Sequence, residues 1–106
     1  MIIDINRSGE ISLINAEDFK SLKACADGEV LDAGILLRVF EGLGSVDADM
    51  KHVWIAPDAF VSRLAAGQDE QWLARFNAMV AGAAKYGFVD ADTGAVRAHI
   101  ERRDSV

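Results

Sequence analysis

The chain has 106 residues, a single cysteine and a formal net charge of −6, with an apolar content too high for a disordered chain and ordinary for a soluble one. A core of this size can stabilise one compact domain, residues 1–106, without disulfides or a structural metal; disorder is expected only in the tail "RRDSV", residues 102–106. The acidic balance opposes binding to nucleic acid and to anionic membranes, the apolar run "ILL" is too short to span a bilayer, and lone Cys25 excludes an internal disulfide or a paired-cysteine motif.

The opening "MIIDINRSGE" lacks the segments of a secretory signal, so a cytoplasmic protein is expected. "IIDIN" and "EISLI" alternate apolar and polar residues around Arg7, Ser8 and Gly9. A three-residue loop with Gly9 in the left-handed region would pair Ile5 with Ile11 and Ile3 with Leu13, placing all four on one face. Asp4, Asn6, Glu10 and Ser12 take the other face.

Asn15 is placed to cap a helix in which Phe19, Leu22 and Ala26 share one side, stopped by Asp27 and Gly28. Cys25 is then a buried helical thiol. Residues 29–43 fit either a helix or a buried strand; the reading taken is a strand from Ile35 to Phe40, followed by a polar loop from Gly42 through "DAD" at Asp47 to Asp49. "KHVWIA" reads as a strand. Pro57 opens a helix to Ala66 that Gly67 stops, and a second helix runs from Asp69 to Tyr86 with Trp72, Phe76, Met79, Val80 and Ala83 on one stripe. The tail forms a hairpin turning in "DADTG", with Val96, Ala98 and Ile100 on one face and Arg97, His99 and Glu101 on the other.

Strand alternation sets His52 and Trp54 opposite Val53 and Ile55, as it sets His99 opposite Ile100. If helices cover the aliphatic side of one sheet, the open side collects His52, Trp54, Arg97, His99 and Glu101. A single histidine is most often structural, but two imidazoles beside a carboxylate suit proton transfer, with Asp4, Glu10 or Glu101 as the partner that fixes the tautomer. The candidate catalytic residues are His52, His99 and Glu101. Arg97 is the candidate anion ligand, with Trp54, Tyr86 and Phe88 as apolar walls. No metal ligand set or cofactor is expected: "DADTG" and Glu101 follow a calcium-loop spacing, but Ala95 stands where that loop needs glycine. Nucleotide, serine-hydrolase and zinc-protease motifs are absent from the sequence.

The element order implies an α+β two-layer sandwich, a largely antiparallel sheet with helices packed on one face, buried by homodimerisation around Trp54. Two functions fit. One is binding of a small anionic or aromatic molecule, with cofactor-independent acid/base catalysis by His52 or His99. The other is a noncatalytic interaction module or accessory subunit that uses the Trp54 face.

Overall fold

The computed structural model describes residues 1–28 and 32–103. Its radius of gyration is 13.2 Å, against about 13 Å for a single compact unit of about 100 residues. The strands are β1 (Ile2–Ile5), β2 (Ile11–Ile14), β3 (Lys23–Asp27), β4 (Gly44–Val46), β5 (His52–Ile55) and β6 (Val96–Arg103). The helices are α1 (Ala33–Val39), α2 (Pro57–Leu64) and α3 (Glu70–Ala84). No helix among the described residues is long and apolar enough to cross a membrane.

One α+β sheet contains all six strands in the order β2-β1-β3-β6-β5-β4. It is mixed, where a largely antiparallel sheet was expected: β1 and β6 both pair with β3 in parallel. The β1–β2 hairpin has the register that its loop implies, Ile5 opposite Ile11 and Ile3 opposite Leu13, with Gly9 at φ 80°. The positive φ at Gly9 suits glycine, which has no Cβ to oppose it.

The expected helix from Asn15 is absent, and β3 takes its place. Asn15 sits at φ 54°, in the left-handed region and not in the extended conformation of an N-cap. Residues 15–22 are the crossover that a parallel β1–β3 pairing requires. Alanine favours helices, but Ala24 and Ala26 are wholly buried between Ile3, Ile5 and Ile100, so pairing on both sides overrides local preference. Cys25 is therefore a half-buried strand residue between Asp4 and Glu101 in register, and not a helical thiol.

The strand expected at residues 35–40 is the helix α1. Asp32 caps it by accepting from the Gly34 and Ile35 amides, and burial falls on Leu36, Val39 and Phe40, a helical spacing, while Leu37 is exposed. Part of the expected polar loop is instead the edge strand β4, paired with β5 so that Ser45 faces Trp54. At the other end, Arg102 and Arg103 lie in β6 opposite Ala26 and Asp27, so the sheet takes in residues expected to be disordered. Residues 104–106 lie outside the described residues.

Alternation along the strands gives one aliphatic face, with Ile3, Ile5, Val53, Ile55, Ala98 and Ile100 buried in the same core as Phe40, Phe60, Trp72 and Phe76. Phe60, Phe76 and Trp72 stack in sequence, with centroids 5.2 Å apart at each step. The crossover is fastened to α3 by the Trp72 indole, which donates to the Ala16 carbonyl at 2.7 Å, and by Phe19, whose ring lies 5.8 Å from the Trp72 ring. The Met1 amino group holds the same segment by donating to the Asp18 and Ser21 carbonyls.

Candidate functional site

Along one edge, β6 changes neighbours. Val89 bridges Val96, and the Arg97 amide donates to the Phe88 carbonyl at 2.8 Å, whereas β3 begins to pair only at His99. At this change lies a cavity of about 530 Å³. The crossover residues Phe19 to Leu22 form one wall, and Met79, Gly82 and Ala83 near the end of α3 form another. Tyr86 and Phe88 line it too and are 78% and 45% exposed. His52, Arg97 and His99 complete the lining from β5 and β6.

Five of the seven residues singled out in the sequence thus meet in one cavity: His52, His99, Arg97, Tyr86 and Phe88. Trp54 does not line it; it is half-buried on the same sheet face, opposite Arg97 in register. Glu101 also lies outside. Its carboxylate accepts from the Lys23 ammonium at 2.9 Å, and that pair holds the Lys23 pKa above its ordinary value. Glu101 pairs with Lys23, and among the described residues the carboxylate in hydrogen-bond contact with an imidazole is Asp49.

His52 and His99 are direct antiparallel partners, their rings meeting edge to face at 5.4 Å between centroids. The β4–β5 connection, closed by the Asp47 amide donating to the His52 carbonyl at 2.8 Å, brings Asp49 back over β5. Asp49 Oδ1 accepts from the Lys51 amide at 2.8 Å, and Oδ2 lies 2.9 Å from His52 Nδ1. Arg97 Nη2 lies 3.2 Å from the same Nδ1.

One ring nitrogen cannot serve both neighbours, because an ionised carboxylate only accepts and a guanidinium only donates. The shorter, charge-assisted contact decides: Nδ1 carries its proton toward Asp49. The neutral ring then keeps its lone pair on Nε2, and Arg97 Nη2 has no acceptor in His52. Arg97 Nε is itself closed off from solvent without a partner. Among the described residues, no carboxylate lies within 4.0 Å of the Arg97 guanidinium. This guanidinium is an under-used donor in an acidic protein.

The Lys51 amide, and after it the His52 side chain, holds the Asp49 carboxyl below its ordinary value. A depressed carboxyl pKa favours the paired state above the unfolded-state value of about 3.9, and that contribution disappears as pH falls through the lowered folded value. Among the described residues, Asp49→Ala leaves Arg97 as the only hydrogen-bonding neighbour of Nδ1 and is expected to move the neutral-ring proton to Nε2. Long-range proton–nitrogen NMR at about pH 9, above the imidazole range, reads that change directly.

Asp47, Asp49 and His52 bring possible metal-ligating atoms within 4.8 Å of one another. The donor set is poorly matched to a cation, since the imidazole nitrogen turned toward Asp49 also faces the Arg97 guanidinium. Asp90 Oδ1 accepts from the Asp92 and Thr93 amides, so the "DADTG" carboxylate serves its own turn.

Asp49, Phe19, Lys20 and Met79 were not among the sequence candidates. A carboxylate three residues before His52, across a short connection, was the available sign of Asp49. The crossover residues gave none, because their place depends on the β1–β3 pairing. Compared with known proteins, the chain matches no family model, no curated protein and no solved structure.

Proposed function

We propose that this chain is a cytoplasmic protein that takes a small organic molecule, anionic or aromatic, into the cavity beside β6 and acts on it by cofactor-independent acid/base chemistry. In this reading the helices form one layer over the aliphatic face, and the last turns of α3 also wall the ligand cavity. The observation that carries it is the meeting of two imidazoles and an unneutralised guanidinium with apolar walls in one cavity. Its 530 Å³ falls within the range of about 300–1,000 Å³ typical of small-ligand sites.

The chemistry follows from the pairing of His52. Asp49 holds the Nδ1 proton, so the neutral ring offers Nε2 as a base, and the imidazolium formed is stabilised by the same carboxylate. The proton taken at Nε2 is returned from Nε2 to another atom of the bound molecule. No other reactant is required. Arg97 orients the molecule through an acceptor group, and His99 presents a second imidazole against the first.

Gly82 supplies the test. It lies in α3 on the cavity wall, and beyond the helix's own backbone a Cβ there meets nothing within 4 Å. Gly82→Leu therefore adds an apolar side chain at the cavity wall without a clash at its Cβ while gaining up to about 0.8 kcal/mol of helix propensity. The variant is expected to melt no lower than the parent and to lose binding of a panel of fluorinated aromatic fragments, followed by fluorine NMR. Parental fragment binding by the Gly82→Leu variant would place the ligand elsewhere.

A further inference from the structure

The lining of this cavity departs from the charge of the chain. The protein carries 17 acidic residues against 11 Lys and Arg, yet among the described residues the lining includes Lys20, Arg97 and two imidazoles and no aspartate or glutamate. Lys20, like Arg97, has no carboxylate within 4.0 Å among the described residues. Arg97 Nε is shut from water and equally closed to an entering molecule, so an anion in the cavity would meet this guanidinium through its terminal nitrogens, of which Nη2 has no acceptor in His52. The remaining lining is largely apolar: Phe19, Leu22, Met79, Ala83, Phe88 and Val96.

The type of anion is constrained by α3. The cavity meets the last turn of this helix, at Gly82 and Ala83, where the helix dipole is negative. Phosphate sites generally use the opposite end, with free backbone N–H groups. Here the amides just beyond the helix are already used: those of Lys85, Tyr86 and Phe88 donate to the carbonyls of Gly82 and Ala83. A dianion would face the negative end of the dipole without amide donors, whereas a single charge is opposed less; the guanidinium fork accepts either group, so the helix end is what separates them.

From this we infer that the occupant is an amphiphilic monocarboxylate with a flat or apolar body. Its carboxylate sits on Arg97, within the field of Lys20, and its body lies against Phe19, Met79 and Phe88. This rests on the reading of the cavity as a ligand site and adds the chemical class of the ligand.

The test uses the full chain and three probes that share one ring system: naphthoate, neutral naphthamide and naphthyl phosphate. Protein NMR should show saturable shifts at His99, Ala83 and Phe88 with naphthoate, and affinity lower by about tenfold or more for the amide. The phosphate should also bind more weakly than the carboxylate. Arg97→Met should remove the preference for naphthoate over the amide. Lys20→Gln, on the exposed crossover, should reduce that preference while leaving the fold intact, so the inference stays testable if the β6 variant does not fold. Equal binding of amide and carboxylate, or tighter binding of the phosphate, overturns the carboxylate assignment and leaves the ligand site standing. No saturable shift at any lining residue with any probe overturns both.

Discussion

Phe76→Ala is expected to lower the unfolding free energy by about 3–5 kcal/mol, a large share of the about 5–15 kcal/mol that holds a typical domain together. Phe76 is 1% exposed, and its ring is nearly parallel to both neighbours, at 10° to Phe60 and 8° to Trp72. Truncation removes the middle of the stack, so Phe60 and Trp72 each lose a packed face and a void opens between α2 and α3. Trp72 also anchors the crossover through Ala16, and the crossover walls the ligand cavity. The loss should therefore reach the site. In chemical denaturation the midpoint should fall with little change in slope, the sign of lost stability in an otherwise similar fold.

Gly44→Ala is expected to have the second largest effect, about 1–3 kcal/mol, the scale of overpacking in an ordered region. A methyl group on Gly44 would overlap the Trp54 carbonyl, which is backbone and cannot rotate away as a side chain can. The strand β4 must shift or detach. Because the β4–β5 register sets the connection that places Asp49 beside His52, the same change should loosen a contact several residues away. NMR of the His52 ring should show a smaller share of the Nδ1–H tautomer, together with a lower melting temperature. An unchanged melting temperature with an unchanged tautomer would mean that β4 does not control the site.

Both effects begin in features with different visibility in the sequence. The β1–β2 hairpin was legible because Gly9 and strict alternation leave one register that keeps Ile3, Ile5, Ile11 and Leu13 together. The long stripe of α3 was legible from the spacing of Trp72, Phe76, Met79, Val80 and Ala83, while Asp69, read as its first residue, is its cap and the helix ends at Ala84. β3 was not. Its alanines suit a helix, and only the neighbours Ile3 and Ile100, far apart in sequence, make them a strand. For α1, an apolar run fitted both periods, and Asp32 was the overlooked cap that favoured the helix.

At the site, alternation alone put His52, Arg97 and His99 on one face, and the antiparallel β5–β6 register makes the two histidines opposite partners. The same rule placed Trp54 and Glu101 there. It carried no information on where along that face a cavity forms. That depends on β3 starting at the level of His99 and on the crossover closing over α3, both consequences of tertiary packing. Alternation alone therefore leaves Glu101, two residues beyond His99 on β6, as one of several possible partners of the histidines, and its ion pair with Lys23 comes from the β3–β6 register.

The most direct measurement follows both imidazole rings by NMR while naphthoate is added to the parent chain and to Gly82→Leu. His52 and His99 should move together in the parent, along one saturation curve shared with Ala83 and Phe88, and neither should move in the Gly82→Leu variant. Shifts confined to residues outside the cavity, or equal shifts in that variant, would contradict a ligand site in the cavity.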